Sequence, residues 1–368
     1  MADASPGLVR DWMTPRVSVA LPVWNAEAFL PAAIESILSQ TLADLELVVV
    51  DDGSTDRTAA ILSDFQSRDQ RLVVHRQANS GFVSAVNCAV ELCSSAYVAR
   101  MDADDIAVPD RLERQWQFLE RHPDVGVVGG AVVIIDSGGT ALTTWQTAQS
   151  DKQLRAALET TNPFCDPAMM LRRSALRKVG GYRGAFGSSA DYDLWLRISE
   201  RYALGALSVP VLRYRWHADQ LSTRDVHAQL LGLVAARHAS RLRRATGADP
   251  FDDTDVVTVE RLSQSGLDPE WLQSELLWEA AARAAALVSI GRPRDARVLL
   301  DHALSLAPAH TRISRTSRAH ARIAYARARA SESAVADAVR WLVIAGALDP
   351  AAVGRAAWRG LRQWGARI

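Results

Sequence analysis

The chain has 368 residues, 48 % of them hydrophobic, and its 42 Lys and Arg balance its 42 Asp and Glu to a formal net charge of zero. That length allows a large domain with its own core and a second, smaller one. The balanced charge gives no field for nucleic acid, no apolar run approaches the ~20 residues that cross a bilayer, and residues 1–16 lack the hydrophobic stretch of a secretory signal, so a cytoplasmic protein is expected.

After the tail of residues 1–16, strand-like and helix-like segments alternate: VSVALP, AFLPAAIESILSQ, LELVVVD, DRTAAILSDFQSR, RLVVHR, FVSAVNCAVELC and AYVARMD. Short continuous apolar runs between amphipathic stretches predict parallel strands covered on both faces, an α/β doubly wound, Rossmann-like sheet within a domain over 17–225. In such sheets ligands bind beyond the carboxyl ends of the strands. Polar clusters fall at those ends: Trp24-Asn25, then Asp51-Asp52-Gly53-Ser54, then RMDADDIAVPDR from Arg100, with aspartates at 102, 104, 105 and 110. A solvated turn is the plainest reading of that last cluster.

Further on, VGVVGGAVVIID reads as a buried strand, Ala168–Leu171 as an edge strand and Asp191–Tyr202 as a helix. In LRYRWH, Leu212, Tyr214 and Trp216 share one face and Arg213, Arg215 and His217 the other, which looks too charged for core. From 226 to 368 strand signals give way to Ala, Leu and Arg, after a linker or long turn at Ala245–Asp253. There the spacing Ala296, Leu300, Ala303, Pro308 recurs as Ala338, Leu342, Ala345, Pro350. Two tetratricopeptide-like hairpins are expected, or a simple helical appendage. Val353–Ile368 predicts a basic amphipathic helix that either lies on an anionic membrane surface or caps the hairpins. Cys88, Cys93 and Cys165 form no CxxC and no disulfide framework is expected.

PVWNAEAFLPAAIESILSQTLADLELVVVDDGSTD from Pro22 resembles the opening of family 2 glycosyltransferases, which are inverting enzymes of the glycosyltransferase-A fold. NSGFVSAVN from Asn79, MDADD from Met101, RRSALRKVGGY from Arg172, ADYDLWLR from Ala190 and YRWH from Tyr214 continue the resemblance in the family's order. A lone DxD motif is a weak signal, but ordered blocks over Val17–Leu221 are specific. The resemblance implies transfer of a sugar from a nucleoside-diphosphate sugar, UDP-sugar favoured, to a glycan or lipid-linked acceptor in cell-surface polysaccharide synthesis.

The leaving diphosphate has to be neutralised, and Mn²⁺ or Mg²⁺ held by one or two carboxylates is suited to that. Asp104 is the expected metal ligand, Asp105 the alternate, with Asp102 directed to the ribose or a metal-bound water. His217 is either a further ligand, a phosphate contact or an ordinary surface residue. Asp52 is placed to accept from the base or ribose. Trp24 either stacks on the base or packs at the strand end, and Glu27 either reaches the ribose or sits in a first helical turn. Pro22, Asn25 and Asn79 complete the nucleotide-binding set, while Gly53, Ser54 and Thr55 are expected to form the turn and N-cap of the next helix. The family's general base falls on Asp191, delivered by a glycine-rich loop at Gly180, Gly181, Gly184 and Gly187. The sequence departs from the family at Ala190, where many relatives carry Glu, and at Asp166, where relatives often have His before Pro. A nucleotidyltransferase is disfavoured because PVWNAEAF is no basic, Gly-rich phosphate loop. A sugar-nucleotide-binding scaffold acting through the helical region is the competing reading.

Overall fold

The computed structural model describes residues 14–217, 220, 226–289 and 292–305. The chain divides into two compact units. One runs through Tyr182 and resumes at Leu194–His217; the other combines Arg183–Asp193 with the chain from Ala218 onward. The segment carrying Asp191 therefore groups with the helical unit, although the sequence pattern assigns it to a single domain over 17–225.

In the first unit, β1 (Val17–Val23), α1 (Leu30–Leu38), β2 (Leu45–Asp51), α2 (Thr58–Arg68), β3 (Leu72–Arg76), α3 (Phe82–Leu92) and β4 (Tyr97–Arg100) alternate as the apolar pattern predicts. The chain continues through β5 (Ile106–Ala107), α4 (Arg111–Arg121), β6 (Val125–Ile135), β7 (Ala141–Trp145), α5 (Asp151–Leu158), β8 (Met170–Arg172), α6 (Arg173–Val179), α7 (Ala190–Ser199) and β9 (Ala203–Arg215). The unit boundary falls within α7. Among the described residues these strands form one sheet in the order β3-β2-β1-β4-β8-β6-β9-β5, with β7 added to β6. β3, β2, β1 and β4 are parallel, and every residue of β1 and β2 is buried, as for strands covered on both faces. α1 packs Leu30, Ala33, Ile34 and Ile37 against that layer at helical spacing, each large side chain contributing about 1.5–3 kcal/mol by burial.

β8 is not the edge strand expected. It lies inside the sheet, antiparallel to both β4 and β6, and joins the parallel half to β6 and β9. β7 gives no sequence signal because all five of its residues are exposed, so neither alternation nor a continuous apolar run marks it. β9 begins well before LRYRWH and runs parallel to β6. The glycines of VGVVGGAVV allow this pairing to close: a Cβ on Gly130 would stand 2.6 Å from Val211 Cγ1.

In the second unit, α8 (Val226–Thr246), α9 (Val259–Gln264), α10 (Pro269–Ser289) and α11 (Pro293–Ser305) follow. The stretch Ala245–Asp253 is a packed turn rather than a free linker. Phe251 is buried edge-on to Phe186 at 5.6 Å, and Asp249 pairs with both Arg183 and Arg243. α10 and α11 pack on each other with Ala296 and Leu300 buried. Pro308, the second hairpin at Ala338–Pro350 and the helix at Val353–Ile368 lie outside the described residues. No helix among the described residues is long and apolar enough to cross a membrane.

Candidate active site

The carboxyl ends of β1, β2 and β4 are brought side by side by register, Val23 opposite Asp51 and Ala20 opposite Arg100. The polar clusters that follow these strands therefore form one rim. Pro22 is buried within β1, while Trp24 just beyond it is 47 % exposed, so packing at the strand end does not account for its ring. Asn25 takes a left-handed φ of 49°, a conformation Asn tolerates. Its backbone N–H donates to Ser54 Oγ at 2.9 Å, and its Oδ1 accepts from Thr55 N–H at 2.8 Å.

Glu27 precedes α1 rather than sitting in its first turn. Its Oε2 accepts from Arg57 N–H at 2.9 Å, and its own N–H donates to Asp56 Oδ2 at 3.0 Å. The capping role expected of residues 53–55 belongs instead to Glu27 and to Asp56, whose Oδ1 accepts from Thr58 N–H at 2.9 Å.

Asp52 is buried and turned toward the loop before α3. Its Oδ1 accepts from Gln77 Nε2 and Ser80 N–H, both at 2.8 Å, and its Oδ2 from Gly81 N–H at 2.9 Å. Asn79 is exposed on that same loop. Gly53 is required at the crossing: its φ is +73°, and a Cβ there would stand 2.9 Å from Asn79 N.

After β4, carboxylate oxygens of Asp102, Asp104 and Asp105 gather within 4.8 Å of one another. Asp105 is fully buried; its Oδ1 accepts from Arg215 N–H at 2.8 Å, while its Oδ2 has no hydrogen-bond partner. Asp104 Oδ2 lies 2.9 Å from Nε2 of His217, whose ring also packs on Phe29 at 5.2 Å. Burial, then the neighbouring Asp104 and Asp102, hold Asp105 well above the usual carboxylate range. Burial likewise pushes Asp102 up to about 6, opposed by Arg100 and reinforced by Asp104. An all-oxygen group of crowded carboxylates with a buried, unpartnered Oδ2 and an adjacent imidazole fits a hard divalent cation.

The arginines of LRYRWH do not form a charged outer face. Arg215 is buried; its Nε donates to Asp104 O at 2.7 Å and its Nη1 to Ser137 O at 2.9 Å and Asp136 O at 3.2 Å. Arg213 Nη2 donates to Gly139 O at 2.6 Å. These guanidiniums tie backbone carbonyls together, and the face is charged because it forms the underside of the site loops.

Of the partners that stand behind the cluster, sequence reasoning names Asp166 only as a departure from the family and does not single out Arg100 or Tyr182. Arg100, at the end of β4, is buried and donates to Asp102 and to Met101 O, and its Nε lies 2.9 Å from Asp166 Oδ2 without aligning as a hydrogen bond. Asp166 Oδ1 accepts from Tyr182 Oη at 2.7 Å. The available signal is a cation at the end of a buried strand, beside the aspartates it serves.

Asp191 is half-buried in the first turn of α7 and belongs to the other unit, so it does not join the carboxylate cluster within one compact body. Nor is the chain before it a loose glycine loop. Gly180 closes α6 in a left-handed conformation, and Gly184–Ser189 is a 3₁₀ helix kinked at Gly187. Asp193 is fully buried and paired with Arg183, a structural position.

Residues 18–180 match the model of the family described as glycosyl transferase family 2. EpsE of Bacillus subtilis strain 168 is 34 % identical over 190 residues, covering 50 % of this chain and 67 % of its own. The O-antigen biosynthesis glycosyltransferase WbnJ of Escherichia coli is 31 % identical over 205 residues, covering 55 % of this chain and 80 % of its own. Among solved structures, S. aureus TarS 1–349 in complex with UDP superposes with a TM-score of 0.51 at 16 % identity over 90 % of each chain, a likeness of fold.

Proposed function

Because the chain belongs to glycosyl transferase family 2, with a sheet of the glycosyltransferase-A type, we propose that it is an inverting transferase. It moves a sugar from a nucleoside-diphosphate sugar, a UDP-sugar first, to a hydroxyl of a glycan or lipid-linked acceptor in building a cell-surface polysaccharide. The observation that carries this reading is the Asp102, Asp104 and Asp105 cluster at the ends of parallel strands, with His217 against Asp104.

Asp104 and Asp105, with His217, would hold a divalent cation, which when bound neutralises charge developing on the leaving diphosphate. Trp24 offers an exposed face to the nucleobase, while Asp52 and Asn79 border its edge and Asp102 receives the ribose or a water bound to the cation. Pro22, Asn25 and Glu27 shape the turn beneath. Asp191 takes the proton from the acceptor hydroxyl as its oxygen bonds to the anomeric carbon, and the bond from that carbon to the diphosphate oxygen breaks with its electron pair. The name of WbnJ, which refers to O-antigen biosynthesis, supports a surface-glycan acceptor. The location that goes with this reading is the cytoplasm, with the enzyme peripheral on the inner face of the cell membrane.

The test pairs binding with turnover. UDP should bind in the presence of Mn²⁺, lose affinity in chelator and lose it again in Asp104→Ala. Asp191→Asn should keep that affinity while diphosphate release with a competent acceptor falls about 10²–10⁴-fold. Full release by Asp191→Asn removes that residue from the mechanism. UDP binding unaffected by chelator and by Asp104→Ala removes the cation role, and binding without any turnover in the wild type favours the scaffold.

A further inference from the structure

We propose that Arg100, locked by Asp166 and Tyr182, is a positioning residue that fixes Asp102 and through it the affinity of the site for a cation and diphosphate. The inference rests on the donor-site reading above. Arg100 is the last residue of a central strand, and its guanidinium is almost fully removed from solvent. It is bounded on every side: Asp102 and Met101 O accept from it, Asp166 Oδ2 stands 2.9 Å from Nε, and the Phe82 ring lies 5.2 Å from Cζ.

Asp166 is itself held, since Tyr182 Oη donates to its Oδ1 at 2.7 Å. Tyr182 is held in turn by Asn87, whose Nδ2 donates to Tyr182 O at 2.8 Å and whose Oδ1 accepts from Tyr182 N–H at 3.0 Å. The side chain is then packed edge-on to Trp195. The chain of contacts Asn87, Tyr182, Asp166, Arg100, Asp102 runs from the scaffold to the carboxylate cluster.

A desolvated ion pair of this kind is a weak source of stability, because apolar residues of similar volume do as well. What it supplies is geometry. A carboxylate clamped by a buried guanidinium keeps one orientation and stays beside Asp104 and Asp105 despite their mutual repulsion. Partners of this sort behind a metal site set ligand orientation.

The experiment measures Mn²⁺ binding by electron paramagnetic resonance, with and without UDP, in wild type, Tyr182→Phe, Asp166→Asn and Arg100→Lys, alongside thermal unfolding. Asp166→Asn and Arg100→Lys should weaken Mn²⁺ binding in the UDP complex about 10-fold or more, and Tyr182→Phe by a smaller factor in the same direction. The role is exerted through Asp102, so Asp166→Asn should add nothing in an Asp102→Asn background. Additive losses in that cycle, or Mn²⁺ affinity unchanged in folded Tyr182→Phe and Asp166→Asn, would overturn the proposal. If Asp166→Asn fails to fold, Tyr182→Phe decides alone, since it removes a single hydroxyl. Wild-type protein that binds neither Mn²⁺ nor UDP would overturn the donor-site reading, and this inference with it.

Discussion

Replacing Arg215 by Met keeps an apolar stem but removes the guanidinium that lies over the Phe29 ring and ties three carbonyls together, those of Asp104, Asp136 and Ser137. Hydrogen bonds from a charged donor are worth about 1.5–3 kcal/mol each. Asp136 and Asp104 are only half-buried and Ser137 is exposed, so water recovers part of the loss. Counting the two shorter bonds at the lower value gives about 3 kcal/mol. For a chain of this size that corresponds to a fall in Tm of about 4 °C. Differential scanning calorimetry reads the fall directly, and a UDP titration with Mn²⁺ should show a secondary loss as the backbone at Asp104 is released. The reasoning fails if Tm moves by less than about 2 °C while UDP affinity collapses, because Arg215 would then be serving a phosphate rather than the carbonyls.

Trp24→Ala should weaken UDP by about 1–3 kcal/mol, the usual worth of an aromatic stacked on a base, and leave Tm unchanged because the ring is exposed; calorimetric titration with a melting curve checks both. Asp249 titrates below the usual carboxylate range: burial opposes this, but the Phe251 N–H, Arg183 and Arg243 outweigh it. A depressed folded value means that the stability it contributes is fully present above about pH 4, the unfolded value, and is lost as the pH falls below that through the lower folded value. Asp249→Asn should therefore cost about 3–5 kcal/mol at pH 7, with the gap to wild type in urea midpoint narrowing by pH 3. A gap that stays constant from pH 7 to pH 3 would show that the charge of Asp249 is not what holds the turn.

The parallel half of the sheet is legible because each strand is buried on both faces and so reads as an unbroken apolar run, as in LELVVVD. β8 reads as an edge strand because Met170–Arg172 is too short for periodicity to reveal two flanking neighbours. β7 is silent for the opposite reason, having no buried face. Within the site, Asp102, Asp104, Asp105 and His217 can be grouped from sequence because the family resemblance supplies contacts more than a hundred residues apart. Arg100, Asp166 and Tyr182 cannot, since their pairing depends on the 3₁₀ turn at Asp166–Ala168 and on the Asn87 clamp, neither of which leaves a local pattern. At Glu27 the location is legible but the role is not, since its carboxylate holds the Arg57 N–H at the head of α2.

The left-handed turn at Asn25 is tied to Ser54 and Thr55, and the loop at Ser80 and Gly81 is tied to Asp52, by hydrogen bonds within the chain itself. A base docking there, as proposed, would meet turns held by the chain's own bonds, so little ordering entropy would be charged to the encounter. Association should then proceed by docking onto a finished surface, at a similar rate for every nucleotide small enough to enter. Discrimination between one base and another would reside in how long each remains, and a substitution that loosened either tie would slow arrival for all of them alike.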